Sequence, residues 1–288
     1  MSELLKGAPA AFALEEETAK KVESLKAAGI FPCLAMLRIG EDESSLSYER
    51  GAIKRCRETG IAVRPVTLPA DTAQDELMDA IRSLNDDAGV HGILMFRPLP
   101  EHLDEKAACS AIAPAKDVDG ISAGSMAGIY SGRGEGFTPC VAEAVMKLLK
   151  YYNIETCGKR AVVIGRSLAV GRPVAMLLMH TDATVTVCHT KTRNLPEISR
   201  AADIVVLAAG KGECFGREFF REGQTVVDIG ITWSERKQKL VGDADFDSAA
   251  PVVSAISPVP GGVGSMTSAV LAYHTATAAE KARQKTTK

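Results

Sequence analysis

The chain has 288 residues, 46% of them hydrophobic and 24% charged, with a formal net charge of −2. That length exceeds the usual single core, so two domains are the default expectation, and the near-neutral balance excludes the basic face that nucleic-acid binding requires. Seven cysteines with no Cys-x-x-Cys pair argue against a metal site or a disulfide framework, and no apolar run approaches the ~20 residues that span a bilayer.

No basic-then-apolar leader pattern opens the sequence, so a soluble, cytoplasmic chain is expected. Residues Phe12 to Ala28 carry apolar positions at helical spacing and stop at Gly29, which reads as a C-cap. Cys33 to Ile39 reads as a buried strand, Ser45 to Thr59 as a helix ended by Gly60, and Val63 to Leu68 as a strand. A helix over Thr72 to Asn85 and a strand over His91 to Phe96 follow, the strand stopped by Pro98-Leu99-Pro100. This alternation predicts an α/β domain with a mainly parallel sheet. Lys116 to Pro139 holds six glycines without clear periodicity, and reads as an irregular functional segment leading to a linker near Cys140.

A second alternating series follows. Strands are expected at Ala161 to Ile164, Thr184 to Cys188, Ile204 to Ala208 and Thr225 to Ile229, with helices at Pro173 to His180 and Leu195 to Ala202. Pro258 to Gly264 can only be a loop, and a helix from Thr267 to about Arg283 closes the chain.

Gly165-Arg166-Ser167-Leu168-Ala169-Val170-Gly171 sits between a strand and a helix. Glycines there let backbone N–H groups approach a pyrophosphate, and the helix N-terminus adds a favourable dipole. The spacing is Gly-x5-Gly, so a purely structural turn is the competing reading. Sites for NAD place Asp or Glu at the end of the next strand, about 20 residues on, to hold the ribose hydroxyls. Here that strand ends Cys188-His189-Thr190-Lys191-Thr192, with no carboxylate. Hydroxyls and cations, with Arg166 in reach, suit a 2′-phosphate and favour NADP, NAD remaining possible. The alternative is that Lys191 is only a solvated loop residue.

Tyr48 with the helix ending Lys54-Arg55-Cys56, Lys116-Asp117-Val118-Asp119-Gly120, Pro258-Val259-Pro260-Gly261-Gly262-Val263-Gly264, and the Gly165 and Gly171 loop together resemble the methylenetetrahydrofolate dehydrogenase/cyclohydrolase family, the bifunctional FolD type. The resemblance runs through essentially the whole chain in order. It implies an α/β folate-binding catalytic domain (1–140, completed by the helix 267–288) and a Rossmann-type NAD(P)-binding domain (141–266). It also implies that Tyr48 lies against the folate ring and that Asp119 hydrogen-bonds the pterin, making these two the catalytic pair. Without the family, Asp119 reads as a turn residue and Tyr48 as a half-buried helix residue. Pro260, Gly261 and Gly262 are implied as folate-binding, lining the cleft between folate and nicotinamide. Gly165, Arg166, Ser167, Gly171, Thr190 and Ile231 are implied as cofactor-binding. A homodimer built through the dinucleotide domains is implied as well.

Two positions depart from the family. Its hydrolytic Lys, four residues after the Tyr, is Ala52 here, and its Gln in Val-Gln-x-Pro-x-Pro is Phe96. Lys54 stands six residues from Tyr48, ~240° around a helix against ~40° for four, so it points off the shared face. Arg97, one residue along a strand from Phe96, is expected to face the opposite side. The expectation is therefore an NADP-dependent methylenetetrahydrofolate dehydrogenase with cyclohydrolase activity weak or lost. The alternatives are the full bifunctional enzyme and a non-catalytic folate- or nucleotide-binding protein.

Overall fold

A computed structural model describes residues 2–41, 43–134 and 136–286, without the side chains of residues 43–45, 47, 48, 285 and 286. In chain order the first elements are β1 (Glu3–Leu4), α1 (Gly7–Ala27), β2 (Cys33–Ile39), α2 (Glu43–Glu58), β3 (Ala62–Leu68), α3 (Gln74–Asp86), β4 (Gly92–Met95), α4 (Glu105–Ala111), α5 (Ala123–Ser131) and α6 (Cys140–Tyr151). Then come β5 (Arg160–Ile164), α7 (Gly171–His180), β6 (Thr184–Cys188), α8 (Leu195–Arg200), β7 (Ile204–Leu207), β8 (Thr225–Asp228), β9 (Thr232–Ser234), β10 (Lys239–Val241), α9 (Phe246–Ala249), β11 (Ala255–Ile256) and α10 (Thr267–Thr286). No helix among the described residues is long and apolar enough to cross a membrane.

The chain divides into two compact units, Phe12–Cys140 with Ser268–Lys288, and Met1–Ala11 with Val141–Thr267. In the first, β2 is the middle strand of a parallel sheet ordered β3-β2-β4. Its run Cys33-Leu34-Ala35-Met36-Leu37 is buried throughout, as a strand covered on both faces must be. The amphipathic helix α3 closes one side, with Leu77, Ile81 and Leu84 joining Leu37, Ile93 and Met95 in one core. Truncating such a leucine to alanine costs about 2–5 kcal/mol. On α2 the buried positions Glu49, Ala52 and Cys56 form a stripe at helical spacing, which Thr59 just past its end continues.

The second unit is a six-stranded parallel sheet ordered β1-β11-β8-β7-β5-β6. From β5 the chain goes first outward to β6, then back across to β7 and β8. The strand order thus reverses at β5, which opens a crevice at the carboxyl ends of β5 and β7, where ligands of open α/β sheets bind.

Four expectations are corrected. The segment 116–139 is not wholly irregular, because Ser122 caps α5 by accepting the N–H of Ser125 (3.2 Å) and Gly132 ends it at φ +65°. With six of its nine residues Ala, Gly or Ser, α5 leaves little hydrophobic period to read. The expected linker at Cys140 is the start of α6. The first helix starts at Gly7, ahead of Phe12. The first eleven residues, expected with the first domain, belong to the six-stranded unit, where Glu3 and Leu4 pair in parallel with Ala255 and Ile256. A two-residue edge strand carries too little pattern to betray its partner.

Candidate active site

In the three-stranded unit, the Lys116-Asp117-Val118-Asp119-Gly120 segment runs beside β4, with the Ile93 N–H donating to Lys116 O (2.7 Å). Its residues divide by task. Lys116 Nζ donates to Leu84 O (3.0 Å) and Asp87 O (2.7 Å), closing the carbonyl end of α3. Asp117, fully buried, accepts the N–H groups of Ile121 (3.0 Å) and Ser122 (2.7 Å) and so fixes the turn into α5. Asp119 has no backbone N–H partner among the described residues. Its side chain is 22% exposed, and its nearest cation is Arg97, whose Nη2 lies 3.9 Å from Oδ2. Burial pushes Asp119 up to about 6, against the opposing pull of Arg97.

Arg97 was expected to face away from the site. Its neighbour Phe96 is indeed turned inward, 8% exposed. The guanidinium nevertheless reaches Asp119 and also lies 3.8 Å from Glu105 Oε1. β4 ends at Met95, so strand alternation no longer governs Phe96 and Arg97, and an arginine is long enough to carry its charge well beyond its Cβ. Glu105 is held in turn by the Leu99 N–H (3.0 Å).

Behind Asp119 stand two buried groups that sequence reasoning did not assign. Cys140 has Val118 O (3.3 Å) and the Asp119 carboxylate both within reach of its thiol, whose single proton serves one acceptor at a time. His274 on α10 approaches the same carbonyl through Nδ1 (2.9 Å) and lies 3.9 Å from Cys140 Sγ. A carbonyl only accepts, so Nδ1 carries the proton and cannot take one from the thiol. The pair is a support for the segment, not a nucleophile with its base.

Ala52 is 1% exposed, on the inner stripe of α2. Lys54 is 78% exposed and pairs with Glu58 (3.9 Å) along the helix. The side chain of Tyr48 lies outside the described residues.

In the six-stranded unit, Gly165 follows β5 at φ +135°, and a Cβ there would meet Ala208 O at 2.1 Å. A Cβ on Gly171 would meet Gly165 O at 2.3 Å. Only glycines permit this crossing of backbones at the switch point of the sheet. Ser167 Oγ accepts the N–H groups of Val170 (3.2 Å) and Gly171 (3.3 Å) at the start of α7, which leaves its hydroxyl proton to donate outward. The Gly165 N–H donates to Cys188 O (2.9 Å), so the glycine turn adjoins the end of β6. There His189 and Thr192 close a turn (His189 N–H to Thr192 Oγ1, 2.9 Å) that leaves Thr190 and Lys191 exposed, as Arg166 is. The donor set is cationic and hydroxylic, with no carboxylate at the end of β6. It fits a phosphorylated dinucleotide, its pyrophosphate at the amino end of α7 and a 2′-phosphate beyond β6.

Ile231, 59% exposed, follows β8, and its side chain lies against the Pro258–Gly264 loop, since a Cβ on Gly264 would come within 3.5 Å of it. That loop is pinned by the Gly7 N–H donating to Gly261 O (2.8 Å) and by Ser265 Oγ donating to Gly262 O (2.7 Å). Pro260 and Gly261 are exposed, with open space beside Gly261, while Gly262 is buried. Pro260, Gly261 and Gly262 are thus in the six-stranded unit, Asp119 in the other.

The comparisons with known proteins agree along the whole chain. Residues 5–119 match the family model described as tetrahydrofolate dehydrogenase/cyclohydrolase, catalytic domain, and residues 139–283 the one described as its NAD(P)-binding domain. The chain is 46% identical over 281 residues to the bifunctional protein FolD of Carboxydothermus hydrogenoformans, covering 97% of this chain and 98% of that one. It is similar to the solved bifunctional methylenetetrahydrofolate dehydrogenase/cyclohydrolase of Campylobacter jejuni, with a TM-score of 0.94, 40% identity and 98% and 99% coverage. The Trypanosoma brucei dehydrogenase-cyclohydrolase, solved with NADP and an inhibitor, gives 0.89 and 36%, covering 97% and 98%.

Proposed function

The chain belongs to the tetrahydrofolate dehydrogenase/cyclohydrolase family, and from that premise we propose that it oxidises 5,10-methylenetetrahydrofolate to the 5,10-methenyl form with NADP, its cyclohydrolase activity weak or lost. The observation that carries the folate assignment is the division of labour in Lys116 to Gly120. Lys116 and Asp117 are consumed by the fold, and Asp119 is left with its carboxylate available. A carboxylate matches the paired amino and ring N–H donors of a pterin edge. Tyr48 is assigned to the folate ring by the family resemblance.

NADP, when bound, supplies the hydride acceptor. The carbon between N5 and N10 gives up hydride and leaves a cation shared by both nitrogens, so no side chain has to take a proton. The protein's task in this step is positioning. Asp119 orients the pterin, Gly165, Ser167 and Gly171 seat the pyrophosphate, and Arg166, Thr190 and Lys191 meet the 2′-phosphate. The family resemblance assigns Ile231 to the cofactor and Pro260, Gly261 and Gly262 to the folate.

Hydrolysis of the cation is a different task, because water must be activated and protons moved by a placed acid/base. Ala52 and Phe96 offer neither. Both are buried and apolar. A second reading, the full bifunctional enzyme, is favoured by the names of the relatives and by the cation that Arg97 brings to Asp119. A steady-state assay separates the two: methylene-dependent NADP reduction without enzyme-dependent loss of methenyl product supports the first, and saturable hydrolysis supports the second. We also propose a cytoplasmic homodimer formed through the six-stranded units; sedimentation at a monomer's mass at micromolar concentration would contradict the dimer.

A further inference from the structure

Two buried carboxylates in the six-stranded unit have no part in the chemistry above. Asp243 is fully buried and Asp228 is 3% exposed. Asp243 Oδ2 accepts the N–H groups of Ala209 (2.6 Å) and Gly210 (3.0 Å), and Oδ1 accepts that of Lys211 (2.7 Å). Three consecutive amides after β7 therefore converge on one internal anion, an arrangement that elsewhere holds bound anions. Asp228, at the end of β8, accepts from Gly230 (2.9 Å), Asp243 N (3.0 Å) and Ala244 (2.8 Å). Its own N–H donates to Ser257 Oγ (2.8 Å), at the root of the Pro258–Gly264 loop. The fit is tight, since a Cβ on Gly230 would stand 2.2 Å from Asp243 Oδ1 and one on Gly242 2.1 Å from Asp228 Oδ2.

These bonds join the segments at the carboxyl ends of β7 and β8. The first carries Ala208, whose carbonyl lies against Gly165; the second carries Ile231. Both segments border the crevice where the nucleotide is assigned, yet neither aspartate is exposed enough to touch a ligand. Burying two carboxylates is costly unless their hydrogen bonds are complete, and here each takes three backbone donors.

We propose that Asp243, braced by Asp228, is a positioning residue for the dinucleotide, holding the Ala209–Lys211 and Gly230–Ile231 segments in the shape that receives it. The inference rests on the reading of this crevice as the NADP site. In Asp243→Asn an amide N–H2 replaces one oxygen and confronts backbone N–H donors, so the segment after β7 loses an anchor while the rest of the sheet keeps its core.

The test is the affinity of the full chain for NADP by titration calorimetry, with kcat and both KM values measured beside it. Asp243→Asn is expected to raise the NADP Kd at least tenfold, with kcat at saturating NADP and KM for the methylene substrate changed less than twofold. Gly210→Ala is a second variant that does not disturb the core: Gly210 has φ +64° and nothing within 4 Å of the added methyl, so it strains only the segment. It is expected to raise Kd several-fold with no more than the few-degree fall in melting temperature that one left-handed alanine brings. A merely structural role would lower the melting temperature and kcat together and leave Kd where it was, and that result would overturn the proposal. If Asp243→Asn does not fold, an unaltered Kd in Gly210→Ala overturns it equally. Absence of NADP binding by the unaltered chain would remove the nucleotide reading itself, whereas binding that both variants retain would remove only the inference.

Discussion

The Arg97 guanidinium stands 3.9 Å from the Asp119 carboxylate and 3.8 Å from that of Glu105, bridging the start of α4 to the segment that carries the pterin assignment. Burial pushes Asp119 up to about 6 and Arg97 pulls the other way. The ionised form is the one that accepts pterin N–H groups, so KM for the methylene substrate should rise as pH falls through about 6. Arg97→Leu removes the opposing cation, and the inflection should move up by about one pH unit. Arg97→Lys should return most of the shift. A pH-independent KM in both the parent and Arg97→Leu would show that Asp119 does not bind as a carboxylate.

Purified protein should convert the methylene substrate and accumulate methenyl product, which then decays at the rate of buffer alone. The deficit expected is the ~10²–10⁴-fold that a placed acid/base contributes. Ala52→Lys with Phe96→Gln is the converse experiment. Ala52 is 1% exposed, so a lysine there without its amide partner is a desolvated ammonium, and the single Ala52→Lys variant should be less stable than the double. Hydrolysis gained only by the double variant supports the assignment. A double variant that folds, reduces NADP and hydrolyses nothing contradicts it.

Cofactor choice should favour NADP in kcat/KM. Removing the Arg166 guanidinium should cost NADP more than NAD, since only the former offers a phosphate for a charge-assisted bond. An equal loss for both would place Arg166 at the shared pyrophosphate, or nowhere near it.

Stability should respond to pH through Asp228. Burial first, and then the Asp243 charge, raise it from 3.8 to about 7, although its backbone donors oppose the shift. The folded state therefore holds this proton more tightly than the unfolded one, and stability is lost as pH rises from about 4 to about 7. Asp228→Asn has no such titration. The melting temperature of the parent minus that of the variant should fall across this range and level off above it. A flat difference would mean that Asp228 is ionised throughout.

Much of this protein was legible from sequence because its signals are local. The buried strand Cys33–Ile39, the glycine turn after Ile164 and the Pro258–Gly264 loop each follow from residues that constrain their own backbone. The two alternating series were enough for the α/β class, and the motifs for the family. What sequence left open depends on partners distant in the chain. The Glu3–Leu4 strand acquires meaning only beside Ala255–Ile256, and α5 only through its Ser122 and Gly132 ends. Only the family resemblance told Asp119 from Asp117 in the motif, and the physical reason, the backbone donors of Ile121 and Ser122 that close on Asp117, belongs to the tertiary structure. Arg97 was assigned the wrong surroundings because the strand stops at Met95, where alternation ceases to apply, and its charge sits several bonds beyond Cβ. Asp243 drew no reading from the sequence, since nothing near it announces that amides more than thirty residues earlier will close on it. Local sterics and periodicity can be read one residue at a time; the charge state and the task of a buried group are set by whatever the fold brings against it.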